Sequence, residues 1–307
     1  MLRNVILFFG VLGALMRYGY ADNTHPIEEI VWLQSYTPPF HMDKDSHAPQ
    51  GGICDNLTEQ LINSIDDVKH TRLIVPQERI NKHLNEGDNV CFPCVIHKKT
   101  ANGVLQFSTP TTVYPPFSVL TTQKLAPEIH AKHGSPIKLI HLLSDEQYVY
   151  GQAAARKFTS KINKIIENTT VYHKASLSWS SENESQAVIA RLSRGFLDYT
   201  IDYPFMGDYF VNHSKFKNIV SLPIEEDPRE FVLGAIGCAV RAPNDFATKA
   251  LNKINKALHK QVLQSPAYIN SQRFWLEQSF PQFTKHYQQQ ILNPIAPASS
   301  AITSRSN

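Results

Sequence analysis

IEEIVWLQSYTPPF, residues 27 to 40, holds the first strand of the chain and the loop that leaves it. Ile30, Val31, Trp32 and Leu33 form a short apolar run of the kind that becomes a buried strand. Pro38 and Pro39 then restrict the backbone and remove two N–H donors, so the loop is stiff. Trp32, Tyr36 and Phe40 fall at and just beyond the strand's end.

Beyond this loop, Leu57, Leu61, Ile62 and Ile65 make one helical face, with Asp55 or Asn56 as the expected N-cap. Thr71 to Val75 reads as a second strand, and Pro76 to Leu84 as a short helix ended at Gly87. NVCFPCVI, residues 89 to 96, reads as a third strand. This β-α-β-α-β order predicts a parallel sheet with helices on its faces.

A second unit follows. IKLIHLL (137 to 143) is expected as a strand, and a helix from Gly151 carries Ala154, Phe158, Ile162 and Ile165 at helical spacing. VYHKAS (171 to 176) is a strand, Glu184 to Ser193 a helix ended by Gly195, and FLDYTIDY (196 to 203) another strand. TTVYPPFSVLTTQ (111 to 123) runs between the two units as an extended crossing segment. NIVSLPI (218 to 224) and FVLGAIGCAV (231 to 240) precede a long helix capped by Asn244 and a further helix begun by Pro266. This last portion has too few alternations to stand alone, so it is expected to pack back on the first unit, with a second crossing near Leu222 to Glu226.

The N-terminus bounds the compartment. Arg3 precedes an apolar run from Val5 to Met16, and Gly19 and Ala21 are small residues at positions −3 and −1 before Asp22. This is the pattern of a secretory signal peptide over residues 1–21, cleaved at about Ala21. The run is shorter than the roughly 20 apolar residues a spanning helix needs. A formal charge of +3 without a basic run argues against nucleic acid. Four cysteines in an oxidising compartment make disulfides the default. Residues 293–307 are rich in Pro, Ala and Ser without apolar periodicity and read as a disordered tail.

No hydrolase, zinc-protease or phosphate-loop motif is present, and the chain is read as a non-enzyme without cofactor or metal. The thirteen histidines are scattered, and only His130 and His133 have a metal-compatible spacing. Aromatic residues gather at expected strand ends instead: Trp32, Tyr36 and Phe40 in the first unit, Tyr148 and Tyr150 before Gly151 in the second, and Tyr203 beside Asp202. Ligands of open α/β sheets lie beyond the carboxyl ends of strands, so these residues suggest a cleft between two lobes.

The order of motifs resembles bacterial extracellular solute-binding proteins of the amino-acid type (family 3), most of all an uncharacterised periplasmic branch of that family. The resemblance rests on Trp32 with Pro38-Pro39-Phe40, on Gly52-Ile-Cys-Asp55, on Val90-Cys91, on Lys99-Thr100, on Ser108-Thr-Pro110, on Tyr150-Gly151, and on Gly195-Phe-Leu-Asp198-Tyr-Thr-Ile-Asp202-Tyr203-Pro204. It runs from about Ile27 to about Leu292 and implies the two-lobed type II periplasmic-binding fold. Lobe 1 would be residues 22–120 plus 225–292, lobe 2 residues 121–224, with two crossing strands as hinge. The candidate ligand-binding residues are then Trp32, Tyr36, Phe40, Asp55, Ser108, Tyr114, Tyr150, Asp202 and Tyr203.

The resemblance implies a monomer that takes up a small solute by hinge closure in the periplasm and presents it to a membrane transporter, or to a membrane signalling protein as a co-receptor. One departure bears on the ligand. Where the family has an arginine that clamps a ligand carboxylate, this chain has Gly103, whereas Asp202 matches the carboxylate that receives a ligand ammonium. An amine-containing ligand is therefore expected. The resembled fold also sets the third strand antiparallel to the returning FVLGAIGCAV strand. This implies the pairs Cys91–Cys238 and Cys54–Cys94. The alternative of another class is a thiol redox protein using Cys91 and Cys94, whose Phe-Pro spacer has a thioredoxin-like form.

Overall fold

The structure, a computed structural model, describes residues 26–42, 50–101, 103–154, 156–169, 177–179 and 183–295. The signal peptide expected over residues 1–21, the strand expected over 171–176 and residues 296–307 of the expected tail lie outside the described residues. Among those described, no helix is long and apolar enough to cross a membrane.

The first unit folds as its pattern predicts. β1 (Glu29–Gln34) pairs in parallel with β2 (Lys69–Ile74) on one side and β3 (Val90–Ile96) on the other. Helix α1 (Ile53–Ile62) buries Leu57 and Leu61, and α2 (Gln77–Glu86) buries Ile80 and Leu84. Gly87 closes α2 with φ +85, a left-handed turn that favours glycine. The start of α1 differs from expectation: Gly52 is the N-cap, and Asp55 lies one turn inside. A Cβ at Gly52 would fall 2.5 Å from the Phe40 carbonyl oxygen, so the residue is held small by the loop crossing it.

β11 (Val232–Ala239) enters this sheet last. It runs antiparallel to β3 on one edge and to β4 (Leu105–Phe107) and β5 (Thr112–Tyr114) on the other. Cys238 stands opposite Cys91, and the two form a disulfide with Cα atoms 4.1 Å apart. Cys54 at the start of α1 bonds Cys94, with Cα atoms 6.0 Å apart. Both pairings are those implied by the resemblance. The β3–β11 register shifts between Ala235 and Gly237, opposite Pro93 and Cys94. Pro93 has no N–H to give a ladder and is tolerated at such an irregularity. Cys94 takes φ +62 there. With each cysteine bonded elsewhere, residues 91 and 94 supply no dithiol, and the redox reading falls.

The second sheet holds β6 (Ser118–Thr122) between β9 (Tyr199–Asp202) and β10 (Ile219–Pro223), all antiparallel. β7 (Gly151–Ala153) pairs in parallel with β8 (Leu177–Trp179), and Tyr150 bridges to Tyr199. Around it stand α3 (Ala126–His133), α4 (Leu139–Ser144), α5 (Ser160–Asn168), α6 (Glu184–Ser193) and α7 (Pro204–His213). Since Ser118–Thr122 is paired in this sheet, the chain crosses at 115–117 and again at 224–231. By strand pairing, Ser118 to Leu120 belong with the second lobe.

Two expectations fail in this unit. Residues 137–143 are not a strand, because Leu139–Ser144 is helix α4. A short apolar run fits either period, and the deciding cap comes from far along the chain. The Glu226 carboxylate accepts from the amide N–H groups of Leu139 (2.8 Å) and Ile140 (3.1 Å). Gly151 likewise opens strand β7 rather than a helix, and the helix of Ile162 begins only at Ser160. After β11, α8 (Phe246–Lys260) and α9 (Pro266–Leu276) return to the first lobe, followed by α10 (Phe283–Tyr287) and short turns to Ile295. Asp245, not Asn244, is the residue at the N-cap of α8. Asn56 Nδ2 donates to Ser271 Oγ (3.1 Å) and Trp275 Nε1 to the Gly51 carbonyl (2.8 Å), which docks α9 on the start of α1.

Two stability outcomes follow from these contacts. Cys91→Ala with Cys238→Ala should lower unfolding free energy by about 2–4 kcal/mol in urea titrations, and an unchanged midpoint would contradict the staple's role. Glu226→Ala should cost about 1 kcal/mol as a lost helix cap, with Glu226→Gln costing less; equal and negligible losses would show that α4 needs no distant cap.

Candidate functional site

Between the two lobes lies a cleft of about 560 Å³, within the usual range for a small-molecule site. The first lobe lines it with Tyr36, Phe40, His41, Phe92, Lys98 and Phe107. The second supplies Arg156, Lys157, Phe158, Asn163, Glu184 and Tyr203, and Phe117 enters from the crossing between them.

The floor is aromatic. Tyr203 stacks on Phe117 with centroids 4.1 Å apart and on Phe205 at 5.2 Å. Phe40 meets Tyr114 and Phe205 edge-on at 5.4 and 5.3 Å. Rings from the first loop, the crossing and the second lobe thus make one cluster. Burial pushes the Tyr114 hydroxyl far up from its ordinary pKa, and Tyr203 upward as well. A Cβ on Gly234 of β11 would meet the Tyr114 ring at 2.6 Å, so glycine there lets the ring lie against the strand.

On the first lobe's wall, His41 Nδ1 lies 2.8 Å from Asp55 Oδ1. A carboxylate oxygen accepts, so Nδ1 carries the proton of this bond. Nε2 has no hydrogen-bond partner among the described residues. Asp55 is held in turn by the Met42 N–H (2.8 Å) and by Gln34 Nε2 (3.3 Å). Asp55 therefore orients His41 and does not itself line the cleft.

On the opposite wall, Arg156 Nη2 donates to Asp202 Oδ1. The Tyr203 N–H donates to the same oxygen at 2.7 Å. Burial raises the Asp202 pKa, while the Arg156 guanidinium and the Tyr203 amide pull it back down. The guanidinium carbon sits 5.3 Å from the Tyr203 ring centroid, 5.4 Å from Phe117 and 6.0 Å from Phe158, within cation–π reach of all three.

Of the nine candidate residues, Tyr36, Phe40 and Tyr203 line the cleft. Tyr114 lies just beneath, in the aromatic cluster. Asp55 and Asp202 reach the cleft through His41 and Arg156. The other three sit in the interior. Trp32 is fully buried and donates its indole N–H to His70 Nδ1 (3.1 Å). Ser108 donates to the Thr109 carbonyl (2.7 Å) and accepts from the Ile236 N–H (3.0 Å), tying β11 to the strand beside it. Tyr150 is buried against Tyr199 and donates to Gln152 (2.6 Å). His133 Nε2 of the histidine pair at 130 and 133 lies 3.0 Å from Asp145, and among the described residues no three His, Cys, Asp or Glu side chains gather as a metal site would need.

Sequence reasoning passed over His41, Phe92 and Arg156. His41 directly follows Phe40, and a donor–acceptor residue beside a stiff aromatic loop is a usable signal. Arg156 lies in an irregular stretch, where nothing local marks it. Gly103, which stands where the family has its arginine, is exposed at φ +80 with open space about its missing Cβ.

No protein-family model matches the chain, and no curated protein matches it. Solved structures do. A histidine kinase sensor domain with similarity to periplasmic binding proteins is 13% identical over 82% of this chain and 96% of its own, with a TM-score of 0.59. An ancestral arginine-binding protein bound to arginine is 16% identical over 82% and 99%, with a TM-score of 0.59. The substrate-binding protein of an ABC uptake transporter from Streptococcus pneumoniae, bound to histidine, is 12% identical over 80% and 91%, with a TM-score of 0.58. This chain has the two-lobed α/β fold of periplasmic binding proteins.

Proposed function

We propose that the chain is a periplasmic solute-binding protein. It captures a small polar molecule between its lobes by hinge closure and delivers it to a membrane transporter. The observation that carries this reading is the cleft itself. It is lined from both lobes, and the chain joins those lobes only at residues 115–117 and 224–231. A ligand touching both walls favours the form in which they approach, which is the energetic basis of closure.

Nothing in the cleft resembles a catalytic constellation with a nucleophile. Among the described residues, the hydrogen bonds of the His41–Asp55 pair run to the Met42 N–H and to Gln34 and not to a hydroxyl or thiol, so binding is preferred over enzymatic turnover. The fold serves an uptake protein and a kinase sensor domain alike, and a signalling co-receptor role is the second reading. Delivery to a transporter is placed first because the two bound-ligand neighbours named above are amino-acid binders and one belongs to an uptake system. The working form is a monomer, free of the membrane after loss of residues 1–21.

A thermal-shift screen against amino acids, amines, organic anions, short peptides and sugars tests the reading. A ligand at a hundred times its Kd should add about 2.7 kcal/mol, or several degrees for a chain of this size. Solution X-ray scattering should show a smaller radius of gyration with the same ligand. The reading fails if no compound stabilises the protein, or if a stabilising compound produces no compaction and still binds after Tyr36→Ala and Phe92→Ala.

A further inference from the structure

The cleft's walls carry unequal charge. Lys98 enters from the first lobe and Arg156 and Lys157 from the second, whereas Glu184 is the one carboxylate among the described lining residues. Asp202 does not line the cleft. It stands against Arg156, and its Oδ1 takes the Arg156 Nη2 hydrogen bond.

We infer that the cleft selects an anionic solute, with Arg156 as the specificity-determining residue. This rests on the solute-binding reading and assigns its ligand class. The expected amine site needs a carboxylate open to a ligand cation, but Asp202 already holds a cation from its own chain. An arriving ammonium would have to displace a guanidinium fixed by an ion pair and three rings. An arriving oxyanion meets no such competitor.

Arg156 is also built to take one. A guanidinium has five N–H donors, and one of them is given to Asp202. Its Nε is buried with no hydrogen-bond partner among the described residues. The rings of Tyr203, Phe117 and Phe158 lie 5.3 to 6.0 Å from its guanidinium carbon and crowd the group together with the Asp202 ion pair, so little rotational freedom is left to lose on binding. A planar fork pairs with carboxylates and phosphonates through two parallel bonds. Lys98 and Lys157 add a positive field at the same opening, which draws anions in and repels cations.

The test uses probes of similar bulk and different charge on the mature protein. They are 3-phenylpropionate and benzylphosphonate as anions, 3-phenylpropanol as the neutral form, and 3-phenylpropylamine as the cation. At least one anion should raise the melting temperature, and the amine should not. The double variant Arg156→Gln, Asp202→Asn keeps neutral groups of similar size at the pair. It should bind that anion roughly ten- to hundredfold more weakly by calorimetry, the effect of losing hydrogen bonds to a charged group. Arg156→Ala alone uncovers Asp202, and the amine should then gain binding.

The inference is overturned if no anion stabilises the wild type, or if the amine or alcohol does so alone. It is also overturned if anion binding survives the double variant unchanged, or if folded Arg156→Ala gains no amine binding. Stabilisation by the alcohol or the amine would leave the solute-binding reading standing and refute only the charge assignment. A broad screen with no hit removes both.

Discussion

The return of the chain into the first sheet as β11 is the constraint on which the rest depends. The first lobe's three parallel strands are complete by Ile96, yet the sheet is closed only when Val232–Ala239 runs back antiparallel along β3. Because the closing strand comes from beyond the second lobe, that lobe is an insertion hung from two short crossings. The Cys91–Cys238 bond locks the return at the point where the two residues face each other in register. The helices that follow β11 then have one place to go, against α1, where Asn56 and Gly51 receive them.

The proposed closure requires crossings firm enough to aim two lobes at each other and loose enough to move. The aromatic cluster lies at that place, with rings from the first loop, the crossing and the second lobe packed edge-on and stacked. Tyr203 is its central member. It stacks on Phe117 of the crossing, meets Phe40 of the first loop, lines the cleft and lies under Arg156. Tyr203 is thus the side chain that touches the crossing, the first loop and Arg156 together.

The first unit was legible because its signals are local. Alternation of apolar runs, a proline before α2 and a glycine after it mark the elements without help from elsewhere. The antiparallel fit of β11, taken from the resemblance, was enough to pair all four cysteines. The second unit hid its elements where tertiary contacts decide. Leu139–Ser144 is helical under a cap from Glu226, which lies across the sequence and beside it in space. Trp32 misleads because a place near a strand's end does not imply exposure to the cleft, and the residue is fully buried. In a pleated strand neighbours alternate faces, and Trp32 points toward His70 and the end of α1. Arg156 belongs to no periodic pattern, so only the folded chain places it against Asp202.

That pairing also changes what Asp202 means. A carboxylate at this point of the fold suggests a ligand cation only while nothing else occupies it. Arg156 needs such a partner for its own reasons: its side chain is about one-fifth exposed and is packed among three rings, and a charge so placed is costly without a counter-charge. Deleting Asp202 would not by itself turn the cleft toward anions, since it would leave Arg156 desolvated and free to swing away. Keeping it fixes the guanidinium at the wall. The carboxylate then acts from behind the cation, as Asp55 acts from behind His41 on the facing lobe. In both walls an aspartate outside the lining holds the group that faces the cleft, and the chemistry of the cleft is set by the residue in front.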